Sequence, residues 1–265
     1  MPEPAAPELA DDARYLLELH TAPEILVLAN VWDVVSARVV AATDGVRALA
    51  TASHSIAATF GYEDGEIIPP NLHLDMVGLI VAAVDLPVTM DFEAGYGDPA
   101  ETTRRAIEIG VVGGNLEDQM KPLEESVDAV ESVLRAGWDA GIDFVLNART
   151  DAFLRAQPGT PRDELLAEAI RRGQAYLEIG APVVFVPGVV ARDEIEALVD
   201  ALGPQKVSVI SVPGKSLPVR ELQELGVARV STGPFTQRVA LTALQDATAE
   251  LLAGGSLPEG TRELN

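Results

Sequence analysis

The sequence contains no cysteine. Thiolate catalysis, disulfides and cysteine-ligated metals are therefore excluded. Lysine is almost as scarce. Lys121, Lys206 and Lys215 are the three present, and none lies inside an apolar, strand-like run, which argues against a buried Schiff-base lysine. Aromatic residues make up 5% of the chain, so a core must be built from Ala, Val, Leu and Ile, the branched residues that pack in barrel layers. Basic residues are outnumbered 19 to 41, giving a formal charge of −22. A chain this acidic repels phosphate backbones and anionic lipid, so neither nucleic acid nor membrane is expected as a partner. An anionic substrate would need a local positive site made by a metal ion, an arginine or backbone amides. Long apolar runs are also missing. Leu79–Val84 is far too short to span a bilayer, and Met1–Ala13 lacks the basic flank and apolar stretch of a signal peptide. A cytoplasmic location is the resulting expectation.

What is present is an alternation. Eight short apolar runs, Ile25–Asn30, Ala48–Ser53, Pro87–Glu93, Gly113–Asp118, Phe144–Thr150, Pro182–Pro187, Val207–Ser211 and Ala228–Thr232, are separated by helical patterns. Repeated βα units imply parallel strands, and eight of them close most simply into a (β/α)8 TIM-type barrel. Asp98-Pro99-Ala100-Glu101 reads as a capped helix start, and Thr160-Pro161-Arg162-Asp163 repeats it. Gly110, Gly141, Gly180 and Gly226 each close a helix before a strand. A last helix is expected over Thr236–Leu252. The 265 residues fit a single barrel domain, with 1–13 and 253–265 as flexible tails.

Barrel chemistry sits at the C-terminal ends of the strands. The third run ends with Asp91 and Glu93, which strand alternation places on one face. The fourth ends with Glu117, turned to the lumen if Leu116 faces the helices. The fifth ends with Asn147, Arg149 and Asp151 on one face. Converging carboxylates repel unless a cation neutralises them, and Mg2+ suits an all-oxygen site. A solvated rim of Arg–carboxylate pairs would leave the same pattern. After the second run come Ser53 and His54, then Asp64 in a glycine-flanked loop. These could offer backbone amides and an acid over the pocket, although an Asp-Gly turn is commonly structural. His20 and His73 read as surface positions without a role.

These segments resemble the isocitrate lyase/phosphoenolpyruvate mutase superfamily. The likeness is carried by Asp91-Phe92-Glu93-Ala94-Gly95-Tyr96-Gly97, Asn115-Leu116-Glu117-Asp118-Gln119 and Asn147-Ala148-Arg149-Thr150-Asp151-Ala152-Phe153. It runs from Asn30-Val31-Trp32-Asp33 to Ser231-Thr232-Gly233-Pro234. The resemblance implies Asp91 as the principal Mg2+ ligand, with Mn2+ as a substitute, and Glu93 and Glu117 holding the ion directly or through water. It implies Arg149 as the arginine on the reacting group or a substrate carboxylate. Ser53 and His54 fall where strand-end amides hold a 2-oxo acid carboxylate, and Asp64 matches a loop aspartate that takes part in chemistry. The resemblance further implies a homotetramer that exchanges a C-terminal helix between subunits.

The departures narrow the reaction. The superfamily's lyases carry a catalytic cysteine in a Lys-Lys-Cys-Gly-His loop, where this chain reads Gln119-Met120-Lys121-Pro122-Leu123. The mutase branch has a longer gating loop and a histidine near the sixth strand's end, where Val186-Pro187-Gly188 stands here. Proton transfer must fall to oxygen acids, His54, Tyr62 or a metal-held water, with Asp64 the first candidate. The expectation is a Mg2+-dependent lyase that cleaves or decarboxylates a small 2-oxo or 2-hydroxy dicarboxylic acid through an enolate. The rivals are phosphonopyruvate-type C–P chemistry and a non-catalytic carboxylate-binding homologue.

Overall fold

A computed structural model describes residues 7–264. In chain order the elements are α1 (Pro7–Thr21), β1 (Leu26–Leu28), β2 (Asn30–Val31), α2 (Val34–Ala41), β3 (Leu49–Thr51), α3 (Ser53–Thr59), α4 (Pro70–Val81), β4 (Val88–Asp91), α5 (Pro99–Glu108), β5 (Gly113–Glu117), α6 (Leu123–Asp139), β6 (Val145–Arg149), α7 (Arg162–Glu178), β7 (Val183–Phe185), α8 (Arg192–Leu202), β8 (Val207–Ile210), α9 (Val219–Glu224), β9 (Arg229–Ser231) and α10 (Phe235–Leu252). Every strand pairing is parallel, in the order β1-β9-β8-β7-β6-β5-β4-β3-β2. The first apolar run accounts for both ends of that order. It breaks at Ala29, so β1 pairs with β9 while β2 pairs with β3, and one stretch of chain joins the two edges into a barrel.

The helix signals act as their chemistry dictates. The Asp98 carboxylate accepts from the Glu101 amide at 3.0 Å, with Pro99 in the first turn. Gly180 closes α7 at φ +103°, a conformation that costs a side-chain-bearing residue strain. α7 starts at Arg162 without a side-chain cap, so Thr160 does not act as Asp98 does.

Residues 7–13, expected in a flexible tail, belong to α1, and Ala13 is fully buried; residues 1–6 of that segment lie outside the described residues. The reason is packing. Leu16 reaches into the N-terminal end of the barrel, where a Cβ on Gly113 would meet its Cδ2 at 2.9 Å. α1 therefore covers the barrel floor, and Gly113 permits its close approach. Residues 253–264 form no helix or strand and are exposed. His20 on α1 and His73 on α4 were read as surface residues, but both are fully buried. Among the described residues no helix is long and apolar enough to cross a membrane.

Candidate active site

The C-terminal mouth of the barrel holds a cavity of about 170 Å3. Asp91, Asn115, Arg149, Ser53, His54 and Asp64 are among its lining residues. The volume is below that of pockets for drug-sized ligands and suits a small acid. The floor is set by strand register: Asp91 on β4 is level with Asn115 on β5, which is level with Asn147 on β6. Asn147 Nδ2 donates to Asn115 Oδ1 at 2.8 Å, tying these strands through the interior.

Asp91 is held by the start of α3. Ser53 donates its hydroxyl (2.8 Å) and its amide (3.3 Å) to Asp91 Oδ2. Asp91 Oδ1 is buried and has no hydrogen-bond partner. The Ser53 amide is thus engaged by a carboxylate of the protein itself.

Arg149 is the cation of the site. Its Nη1 lies 2.9 Å from Glu117 and its Nε 2.8 Å from Asp151. Burial opposes the charge, but Glu117, Asp151 and Asp91 outweigh it, and the Arg149 pKa is raised. Glu117 is pushed up to about 7 by burial, against the pull of Arg149 and with Asp151 and Asp91 adding to the rise. Arg155, a second arginine, lies 3.4 Å from Asp151.

Glu93 departs from the expected strand alternation. β4 ends at Asp91, and Glu93 has φ +53°, the left-handed region. Its buried carboxylate accepts from the Glu66 amide and from Tyr96 Oη at 3.2 Å. Tyr96 Oη lies 2.7 Å from His73 Nδ1. Burial pushes Glu93 up to about 8, with Asp91, Asp64 and Glu117 contributing. Glu93 therefore fastens the loop that carries Asp64 to the end of β4. Asp64 itself is 53% exposed and lies 3.5 Å from His54 Nδ1, so the two form a solvent-accessible pair at the mouth.

A divalent cation fits these residues in a restricted sense. The donors are all oxygen, Asp91 Oδ1 is orphaned, and burial, with neighbouring acids adding to it, pushes Glu93 and Glu117 upward. Among the described residues no three His, Asp or Glu side chains converge closely enough to chelate an ion unaided. An ion held here would therefore rest on few protein ligands and complete its shell with water.

Two buried residues escaped the sequence reading. Asp118 belongs to the Asn115–Gln119 motif, whose pattern points to Glu117 and assigns Asp118 nothing. Its carboxylate accepts from Tyr176 Oη (2.8 Å), Arg172 (3.1 Å) and the amides of Met120 (2.9 Å) and Asp151 (3.0 Å), which fixes the ends of β5 and β6. Arg229 lies buried inside the barrel, and a lone arginine in an apolar run gives no sequence signal of that.

The phosphoenolpyruvate phosphomutase family profile matches residues 16–252. A crystal structure from Burkholderia cenocepacia J2315, provisionally assigned as a phosphonomutase, is 38% identical with a TM-score of 0.83, over 93% of this chain and 100% of the other. Oxaloacetate acetylhydrolase, solved in complex with the product oxalate, is 26% identical with a TM-score of 0.83, over 97% and 92%. The 2-methylisocitrate lyase of Bacillus subtilis strain 168 is 26% identical over 265 residues, 93% of this chain and 84% of the relative.

Proposed function

Since the chain belongs to the phosphoenolpyruvate phosphomutase family, within the isocitrate lyase/PEP mutase superfamily of enzymes, we propose that it cleaves a carbon–carbon bond in a small 2-oxo or 2-hydroxy dicarboxylic acid with Mg2+ as cofactor. The observation that carries this reading is the shared cavity of Asp91 and Arg149, one wall acidic and oxygen-rich, the other a guanidinium with cavity-facing surface. Names of relatives support a small di- or tricarboxylic acid as the substrate class: a 2,3-dimethylmalate lyase and an oxaloacetate acetylhydrolase are named for dicarboxylic acids, and a 2-methylisocitrate lyase for a tricarboxylic one.

Asp91 would hold the ion directly, with Glu93 and Glu117 acting through water. Mn2+ would serve in the same place. When bound, the ion supplies Lewis-acid polarisation of the substrate oxygens. Arg149 binds a substrate carboxylate with its planar fork and stabilises the charge that develops as the bond breaks. Glu117 and Asp151 orient that fork from behind. Ser53 keeps Asp91 in place, and the first turn of α3, with His54, borders the substrate carboxylate. Asp64 moves a proton at the carbon released by cleavage, from a loop fastened by Glu93 and Glu66. The chain has no cysteine to do so.

We extend the proposal to assembly: the enzyme is a homotetramer in which α10 packs on a neighbouring subunit. α10 leaves Val239 65% and Leu244 63% exposed, with Leu241 and Leu251 also outward. A cytoplasmic location, with no nucleic-acid or membrane partner, accords with the net charge of −22.

C–P chemistry is the second reading, favoured by the Burkholderia structure. Carbon-13 NMR of a panel of dicarboxylic acids, with phosphonopyruvate included, separates the two. C–C scission yields two carbon products from a dicarboxylate. Turnover of phosphonopyruvate alone, to phosphate or a rearranged ester, would replace the first reading with the second.

A further inference from the structure

Arg229 opens β9 and is among the largest fully buried side chains. It stands in register with Ser208 on β8, whose Oγ accepts from Asn147 Nδ2 at 3.3 Å. β6 and β8 are not neighbours in the sheet, so that bond spans the interior and Ser208 points inward. In-register residues of paired parallel strands share a face, so Arg229 points inward as well. Ser231, two residues along, lines the cavity, which puts Arg229 one layer beneath it.

Among the described residues, none of the three guanidinium nitrogens has a hydrogen-bond partner. Among the other buried atoms without a partner in the described residues are the acceptors Asp91 Oδ1, Asn147 Oδ1 and His20 Nε2, with the hydroxyls of Ser55, Thr89 and Thr150 and His73 Nε2 making up the rest. His20 Nδ1 lies 2.8 Å from the Leu16 carbonyl, which can only accept, so Nδ1 carries the proton and Nε2 offers a lone pair. Burial, helped by the charge of Arg229, lowers the His20 pKa to about 3 and keeps that ring neutral. Burial also lowers Arg229 to about 10, and Asp91 is the acid that opposes the fall. Arg229 is therefore a cation at neutral pH with no ion-pair partner in contact. An uncompensated buried charge is expensive, and an apolar residue of similar volume would avoid the cost.

We propose that Arg229 is a built-in counter-cation beneath the active site, balancing Asp91 and its acidic neighbours before a metal ion binds and adding to the positive field that holds a substrate anion afterwards. Arg229 is a positioning residue in this account, acting through Asp91 and the field rather than by touching substrate. The proposal rests on the Mg2+ site described under the proposed function. It has a consequence of opposite signs. Removing the guanidinium removes repulsion toward Mg2+ and attraction toward an anion.

The test is calorimetric titration of the full chain with Mg2+ alone, and then with oxalate at saturating Mg2+. Arg229→Met fills a similar volume without charge, and Arg229→Gln keeps donors without charge. Both should bind Mg2+ more tightly, on the order of tenfold for a charge removed from the barrel interior, and oxalate more weakly by a similar factor. Arg229→Lys should restore both affinities toward wild type. A wild type that binds no Mg2+ would overturn the metal site and this proposal together. A wild type that binds Mg2+, with both neutral variants unchanged or weakened toward both ligands, would overturn the proposal alone.

Discussion

Ser53 donates its hydroxyl and its amide to the same oxygen of Asp91, and the other oxygen is left buried without a partner. This arrangement fixes the rotation of the carboxylate and presents one free oxygen. Ser53→Ala should weaken Mg2+ binding by roughly ten- to a hundredfold, the scale for losing a group that orients a metal ligand. Asp91→Ala should abolish it. Calorimetry on both variants checks this, and an unchanged affinity in Asp91→Ala would remove Asp91 from the metal site.

Arg149 is tied to Glu117 and Asp151 as well as open to the cavity. Arg149→Lys keeps the charge that these acids need but not the fork, so turnover should fall about a hundredfold or more while the melting temperature moves little. Arg149→Ala strands two buried acids and should cost about 3–5 kcal/mol of stability. Thermal unfolding beside kinetics separates the two roles. Intact turnover per folded Arg149→Lys molecule would leave Arg149 a structural ion pair.

Asp64→Asn is nearly isosteric and preserves turn hydrogen bonding. It should lower turnover by roughly a hundredfold, as loss of general acid–base catalysis does, with Mg2+ affinity retained. His54→Gln removes its pair partner, 3.5 Å away, and should give a smaller loss. Full activity in Asp64→Asn would shift the proton transfer to another group.

Stability of the metal-free protein should depend on pH in two opposite ways. Glu93 and Glu117 have folded pKa values near 8 and 7, raised from 4.5 chiefly by burial. The stability they contribute is present in acid and lost as pH rises through those values. His20 and His73 have folded values near 3 and 4, lowered from 6.5 chiefly by burial. Their contribution is present above 6.5 and lost as pH falls toward 4. Denaturant unfolding should therefore show a maximum near pH 6. Glu93→Gln should flatten the alkaline limb, whereas a wild type whose stability climbs steadily from pH 6 to 8 would contradict these assignments.

The exposed apolar side chains of α10, taken with the superfamily resemblance, lead us to expect a tetrameric mass by light scattering at micromolar protein. Charged substitutions at Val239 and Leu244 should lower that mass. A monomeric wild type would refute the assembly.

The barrel was legible because each strand is an apolar run bounded by turn residues, and because parallel strands buried on both faces leave that signature. α1 was not, since its acidic first half hides a face whose Ala13 and Leu16 are buried. Strand alternation placed Asp91 and Arg149 correctly at one mouth. It failed for Glu93, because alternation ends where β4 ends and a left-handed turn sends the side chain toward Glu66. Arg229 was unreadable for a different reason. A lone arginine in an apolar run carries no pattern of its own, and only the register with Ser208 reveals where it points.

On the proposed function, Asp91 and its neighbours make this barrel a Mg2+-dependent carbon–carbon lyase. The most direct test is release of a 2-oxo acid product from a panel of 2-oxo and 2-hydroxy dicarboxylic acids, assayed with the chelator-stripped protein before and after Mg2+ is added. The stripped protein should show no turnover, recover it on adding Mg2+ or Mn2+, and fail to recover it in Asp91→Ala. Turnover that survives stripping, or that Asp91→Ala leaves intact, would contradict the proposed function.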